Sequence, residues 1–128
     1  MVKKVLIVDD VKDIVYVLRT ALEIAGYNVA TAFDGKEAWD KIVTEKPDLI
    51  VLDIMLPQID GITLNSQLKS NDDTKTIPVV VITGWAQHRE ILTAYAATRV
   101  TEFIEKPFQV KYLLDRIKTI LNSAPMAS

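Results

Sequence analysis

Short continuous runs of Val, Ile and Leu recur along the chain and constrain its fold more than any other feature. Strong runs occupy residues 5–8, 49–52 and 78–82, and weaker ones occupy residues 28–32 and 102–105. An apolar run without polar alternation is typical of a strand that is buried on both faces. The runs therefore predict a parallel sheet that is covered on both sides.

Segments with helical spacing of apolar residues lie between the runs. Asp34 followed by Glu37 predicts the start of a helix that extends to about residue 45. A third helix is expected from about Gly61 to the polar loop 70–76, and a fourth over residues 87–98. Strands that alternate with helices predict an α/β fold, with a five-stranded parallel sheet and five helices on its two faces.

Length and composition exclude several classes of protein. The 128 residues fit one domain, which we expect over residues 1–122, with a disordered tail at 123–128. The net charge of −2 predicts no direct binding to nucleic acid or a membrane surface. The chain has no Cys, and its apolar runs are too short for a signal peptide or a membrane span, so we expect a cytoplasmic protein.

Polar residues follow the predicted strands at the points where the strands end. Asp9 and Asp10 follow the first run, Asp53 the third, Thr83 the fourth, and Lys106 comes just after the fifth. Each residue alone is compatible with a turn or a helix cap. Ligands of open α/β sheets bind beyond the carboxyl ends of the strands, so the five together indicate a site there.

The types of these residues indicate phosphoryl chemistry. Three carboxylates at one end of a sheet repel one another unless one is protonated or a cation is bound. Oxygen ligands without His or Cys suit Mg²⁺, with Mn²⁺ as the alternative. A Lys and a Thr hydroxyl supply donors for phosphoryl oxygens. The residues therefore predict a metal-dependent acyl-phosphate site.

Four stretches together resemble the receiver domain of two-component response regulators, including the single-domain chemotaxis-regulator type. They are Val-Asp-Asp at 8–10, Asp-Ile-Met-Leu-Pro-Gln-Ile-Asp-Gly at 53–61, Ile-Thr-Gly at 82–84 and Glu-Lys-Pro-Phe at 105–108. The resemblance covers about residues 3–122. It implies a doubly wound, flavodoxin-like sheet with strand order 2-1-3-4-5.

The resemblance also implies roles for the acidic residues. Asp53 would be the phosphoacceptor, which attacks the phosphohistidine of a histidine kinase or a histidine phosphotransfer protein. Asp10, Asp53 and the backbone carbonyl of Met55 would bind Mg²⁺ directly, and Asp9 would contact it through water. The chain would then be a signalling switch rather than an enzyme, although it would assist its own phosphorylation and dephosphorylation.

Further implied roles concern the switch and the lifetime of the phosphoryl group. Lys106 and Thr83 would hold the phosphoryl oxygens. Thr83 and Phe103 would move together and remodel the surface of the fourth helix, fifth strand and fifth helix, where a downstream protein binds. Met55 and Trp85 lie where family members tune the access of water. The Lys-Pro bond at residues 106–107 would be cis, and the chain would be a monomer or a weak phosphorylation-dependent dimer.

Three other functions compete with this interpretation. A haloacid-dehalogenase-type phosphatase needs an Asp-x-Asp pair after one strand, and this chain has the adjacent pair Asp9 and Asp10. A nucleotide or flavin binder is excluded because the four glycines form no phosphate-binding motif. A pseudo-receiver that works without phosphorylation would have a broken site, whereas all five polar positions are filled here.

Overall fold

The computed structural model describes residues 2–53, 61–83 and 101–123 of the chain. Five strands lie at the predicted positions, each within one residue of the expected bounds. They are β1 (Lys4–Val8), β2 (Asn28–Ala32), β3 (Leu49–Asp53), β4 (Val79–Thr83) and β5 (Glu102–Glu105).

Four helices lie in the described ranges. They are α1 (Lys12–Ile24), α2 (Gly35–Glu45), α3 (Gly61–Ser70) and α4 (Val110–Ser123). Helix α4 follows the last strand and is therefore the fifth of the five predicted helices, and the helix predicted over residues 87–98 lies outside the described residues. Helix α4 continues to Ser123, the first residue of the predicted tail, and residues 124–128 are also outside the description.

All strands are parallel, and their order is β2-β1-β3-β4-β5, as expected. The register places Asp53 beside Ile82 and Thr83 beside Glu105. The last residues of the strands therefore meet at one end of the sheet, which we call the carboxyl end. The opposite end, where the strands begin, is the amino end.

Two apolar layers enclose the sheet and explain the uninterrupted apolar runs. On one face, strand residues pack with helices α2 and α3; this layer includes Leu6, Val8, Ile50, Leu52, Val81, Ile42, Leu64 and Leu68. On the other face they pack with α1 and α4; that layer includes Val5, Ile7, Leu49, Val51, Ile82, Leu18, Leu22, Leu113 and Ile117. Successive strand residues point to opposite faces, and both faces are buried, so the strand sequences do not alternate with polar residues.

The ends of α2 follow the expected chemistry. Asp34 accepts a hydrogen bond from the backbone N–H of Glu37 (2.8 Å), and the Glu37 carboxylate accepts one from the N–H of Phe33 (2.8 Å). This reciprocal cap confirms the predicted helix start. Lys46 ends the helix in the left-handed conformation, at φ 48°. None of the helices in the described ranges is long and apolar enough to span a bilayer.

Candidate functional site

The ends of two central strands position the acidic residues. Asp9 follows the last residue of β1, and its backbone N–H continues the ladder to β2 by donating to the carbonyl of Ala32 (3.1 Å). Asp53 is the last residue of β3, which neighbours β1. Asp10 is the residue after Asp9, and it lies just before the start of α1. The parallel topology therefore brings the three aspartates to one point at the carboxyl end.

The three carboxylates form one compact group. One oxygen from each of Asp9, Asp10 and Asp53 lies within 4.8 Å of the other two. Asp9 is 2% exposed and Asp53 is 6% exposed, whereas Asp10 is exposed to solvent. The group thus has a buried floor of two carboxylates and one exposed carboxylate at its mouth.

The electrostatics of Asp9 are unfavourable for a bare carboxylate. Burial, together with the nearby charge of Asp53, raises the pKa of Asp9 to about 6. The N–H of Val11, which donates to Asp9 Oδ1 (2.9 Å), and the ammonium group of Lys106 oppose this rise. Asp9 Oδ2 is buried and accepts no hydrogen bond from the described part of the chain. Burying an oxygen without a partner is costly, so this atom indicates a missing ligand.

A divalent cation fits this ligand set. The group offers only carboxylate oxygens, it combines two buried charges with an exposed one, and it contains an oxygen that no described donor satisfies. Mg²⁺ and Mn²⁺ prefer oxygen ligands and commonly bind through one or two carboxylates, with water or phosphate oxygens as the other ligands. The observed group therefore has the composition that the sequence predicts for a metal site.

Lys106 brings a positive charge to the same end of the sheet. It follows β5 directly, and its Nζ lies 3.5 Å from Asp53 Oδ2. Its side chain is 30% exposed, while that of Asp53 is almost fully buried. The Lys106–Pro107 peptide bond is cis, as the resemblance implied. The distance is that of an ion pair rather than a short hydrogen bond, so Asp53 keeps a cation beside it without a tight contact.

The other predicted site residues are less fully described. Thr83 is the last residue of β4, but its side chain lies outside the described residues. Met55 and Trp85 also lie outside them. Phe103, in β5, is partly buried and packs against the apolar layer that contains α2 and α3. The structure therefore brings together Asp9, Asp10, Asp53 and Lys106, and it places Phe103 on a strand that leads to the site.

Sequence reasoning missed two features near the acidic group. One is the Val11 N–H that donates to Asp9 Oδ1. An Asp just before a helix commonly accepts from the N–H two residues further on, which is the signal that could have identified this turn. The other is an apolar groove of about 520 Å³ between α1 and the start of α4. Its walls are formed by Asp13, Ile14, Val17, Leu18, Lys106, Pro107, Phe108 and Val110. Lys106 belongs to both the groove and the acidic group.

Sequence comparison identifies related proteins across nearly the whole chain. The family model for the response regulator receiver domain matches residues 5–118. The alkaline phosphatase synthesis transcriptional regulatory protein PhoP of Bacillus subtilis is 39% identical over 128 residues, which are 100% of this chain and 52% of that protein. The chain thus spans about half the length of the curated relatives that it matches.

Structural comparison gives the same result with proteins of similar length. The chemotaxis response regulator CheY4 of Vibrio cholerae has a TM-score of 0.86 at 29% identity, over 94% of this chain and 99% of that one. A CheY-like response regulator receiver domain protein from Methanospirillum hungatei has a TM-score of 0.90 at 29% identity, over 97% of each chain.

Proposed function

The chain belongs to the response regulator receiver domain family, and from that premise we propose that Asp53 accepts a phosphoryl group from a phosphohistidine donor. Members of this family are phosphoacceptor signalling modules rather than true enzymes, and a phosphorylation switch is their typical function. The family implies a histidine kinase as a partner. The donor in our proposal is such a kinase or a histidine phosphotransfer protein.

One observation carries the proposal: a nearly buried carboxylate, Asp53, lies close to two further carboxylates and to an ammonium group. Asp9 and Asp10 each place an oxygen within 4.8 Å of an Asp53 oxygen, and Lys106 lies 3.5 Å from Asp53 Oδ2. The anions suit a divalent cation, and the ammonium suits phosphoryl oxygens. A carboxylate without a function would need neither the two neighbouring carboxylates nor the ammonium group.

The transfer is a substitution at phosphorus. An oxygen of the Asp53 carboxylate forms the new P–O bond while the P–N bond to the donor imidazole breaks, and the imidazole leaves as a neutral ring after it takes up a proton. The product is an acyl phosphate on Asp53. A bound Mg²⁺ would neutralise charge on the phosphoryl oxygens and the carboxylate during the step.

Individual residues have distinct tasks in this proposal. Asp10 and Asp53 would bind the cation directly and Asp9 through water, and the backbone carbonyl of Met55 is the further ligand that the family resemblance implies. Lys106 moves away from Asp53 Oδ2 and pairs with a phosphoryl oxygen, so its positive charge offsets part of the negative charge of the phosphoryl group. The Thr83 hydroxyl supplies a second donor to the phosphoryl group, because Thr83 ends the strand next to β3.

The switch in this proposal runs through β5. Phosphorylation replaces one negative charge on Asp53 by about two, with new acceptor oxygens. Thr83 and Lys106 turn toward these acceptors, and Phe103 moves further into the apolar layer against which it already packs. The surface formed by the predicted fourth helix, β5 and α4 changes in consequence, and a downstream protein binds there. Residues 1–122 form the functional unit.

The apolar groove supports an approach for the donor. It lies between α1 and the start of α4, and Lys106 lines it as well as the acidic group. Val17 on its wall is 51% exposed, so the groove offers apolar surface to a partner, and Lys106 connects this groove to the reacting carboxylate. A donor protein that covers this surface would hold its phosphohistidine close to Asp53 and exclude water from the transfer.

The direct test is phosphorylation by a small donor. Purified protein is incubated with Mg²⁺ and phosphoramidate or acetyl phosphate, and the intact mass is measured. We expect one added phosphoryl group on the wild type and none on Asp53→Asn. The matched control Asp48→Asn removes a carboxylate at the amino end and should be phosphorylated like the wild type.

Three outcomes would contradict the proposal. A wild-type chain that gains no phosphoryl mass would be a pseudo-receiver that works without phosphorylation. Repeated turnover of a generic phosphate ester, beyond one phosphorylation per chain, would favour the phosphatase alternative. Phosphorylation that persists in Asp53→Asn would place the acceptor on another residue.

A further inference from the structure

Strand β2 forms an outer edge of the sheet, and its own sequence does not protect that edge. Its five residues, Asn28–Ala32, include no charged residue and no proline. Edge strands of this kind pair with strands of other molecules unless charge, proline, a bulge or a covering element prevents it. The other outer strand, β5, carries Glu102 and Glu105 in its own four residues. Any protection of β2 must therefore come from elsewhere in the chain.

The ladder to β1 identifies the backbone groups that face outward from β2. Asn28 donates its N–H to the carbonyl of Lys3 (3.0 Å), and the carbonyl of Ala32 accepts from the N–H of Asp9 (3.1 Å). Backbone groups of alternate residues point to opposite sides of a strand. Thr31 and Phe33, on either side of Ala32, therefore direct their groups toward the open edge.

Two side chains of α2 bind these outward groups. Glu37 Oε1 accepts a hydrogen bond from the N–H of Phe33 (2.8 Å), and Lys41 Nζ donates one to the carbonyl of Thr31. Lys41 Nζ also lies 3.7 Å from Glu37 Oε2, so the two side chains support each other across one helical turn. Together they occupy an acceptor and a donor position that an added strand would use.

We infer that Glu37 and Lys41 act as an edge block, which keeps β2 from pairing with β2 of a second copy of this chain. A second copy is the relevant partner because it presents the same uncharged strand and can form a symmetric antiparallel pair. The two side chains also place a carboxylate and an ammonium at the edge, whose burial between two strands would be costly. The inference does not depend on phosphorylation.

The test removes the block and measures self-association. The double variant Glu37→Ala with Lys41→Ala keeps Asp34 as the cap of α2, and sedimentation velocity over a range of concentrations reports the oligomeric state. We expect self-association at least about tenfold tighter than in the wild type, because two outward backbone groups become available for pairing. The matched control, Arg19→Ala with Glu23→Ala, removes an ion pair of the same spacing on α1 (3.3 Å) and should leave the wild-type state.

Amide hydrogen exchange locates the contact. In the unassociated double variant the Phe33 amide should exchange about tenfold faster than in the wild type, because its acceptor is lost. In the associated form the Val29 and Thr31 amides should become protected. Association that protects other amides, or a folded double variant that shows no increase in association, overturns the inference. If the double variant does not fold, Lys41→Met is measured in the same way, since it keeps Glu37 and the apolar stem.

Discussion

The two ends of the sheet differ in how their polar groups are paired. At the amino end, the N–H of Lys4 donates to Asp48 Oδ2 (2.7 Å), and the N–H of Asp48 donates to the carbonyl of Lys4 (2.8 Å). Arg116 binds both oxygens of Glu102 there, at 3.0 and 2.8 Å. At the carboxyl end, three carboxylates face one ammonium at 3.5 Å, and Asp9 Oδ2 is buried without a hydrogen bond from the described residues.

This difference indicates that the amino end contributes to stability and the carboxyl end to ligand binding. Paired groups at the amino end fix where the strands begin, and each hydrogen bond there adds a modest amount to stability. Like charges at the carboxyl end oppose folding until a ligand arrives, which is typical of binding and catalytic sites. The amino end should therefore respond to mutation with lost stability, and the carboxyl end with gained stability and lost binding.

The largest expected effect comes from replacing Asp9 by Asn. Its pKa is raised from 3.8 to about 6, so as the pH rises above about 4 the unfolded chain loses this proton while the folded chain retains it. Wild-type stability relative to Asp9→Asn should therefore fall between pH 4 and 6. At pH 7 without metal, the variant should be more stable by up to about 3 kcal/mol, from 1.36 kcal/mol per pKa unit.

Urea unfolding of both proteins across this pH range measures the difference. Mg²⁺ should stabilise the wild type and have little effect on the variant. Asp40→Asn, at an exposed position on α2, serves as the control and should show no comparable gain. A variant that is less stable than the wild type at pH 7 would remove the contrast between the two ends.

The next effect concerns the pH dependence of metal binding. A cation must displace the proton from Asp9, whose pKa is about 6, so affinity should rise as the pH increases through that value. Between pH 5 and 7 the Mg²⁺ dissociation constant of the wild type should fall by about tenfold, the ratio of ionised fractions for such a group. Calorimetric titration at several pH values tests this, and a pH-independent constant would mean that Asp9 does not contribute to the site.

A smaller effect is expected at the amino end. Asp48→Ala removes the acceptor of the Lys4 N–H, which is partly buried, and should lower the free energy of unfolding by about 1 kcal/mol. Phosphorylation by phosphoramidate should be unchanged. Denaturant unfolding and intact mass measure the two properties on the same sample. Lost phosphorylation in a folded Asp48→Ala protein would show that the two ends are coupled.

The smallest expected effect is also at the amino end of the sheet, where Lys46 precedes β3. Lys46 has φ 48°, a left-handed conformation that costs a residue with a side chain more than it costs Gly. Lys46→Gly should therefore raise stability by about 0.5 kcal/mol. Lys118→Gly, at an exposed position inside α4, is the matched control and should lower it by up to about 1 kcal/mol. Equal losses in both variants would mean that the conformation of Lys46 carries no strain.

Much of the fold could be predicted because it depends on local pattern and topology. Uninterrupted apolar runs indicate strands buried on both faces, and the Asp34 and Glu37 spacing marks the start of α2. Parallel strands bring their ends together, so the meeting of Asp9, Asp10 and Asp53 followed from their positions in the chain.

Details that depend on distances between elements could not be predicted. The sequence does not indicate that Asp9 is buried while Asp10 is exposed, nor that one oxygen of Asp9 lacks a partner. The contact of Lys41 with the Thr31 carbonyl depends on how α2 lies along the edge of β2. The roles of Met55, the Thr83 hydroxyl and Trp85 stay predictions, since these groups lie outside the described part of the chain.

The position of Lys106 has a consequence for how a donor leaves. Its side chain lines the apolar groove and also reaches Asp53, so one ammonium belongs to both the docking surface and the reaction centre. Under the proposed function, transfer draws this charge inward to the phosphoryl group and leaves Asp13 as the charged residue on the groove wall. A donor that recognises the unmodified groove would then meet an altered surface as soon as it has reacted. Lys106 would thus contribute both to phosphoryl transfer and to the release of the donor protein.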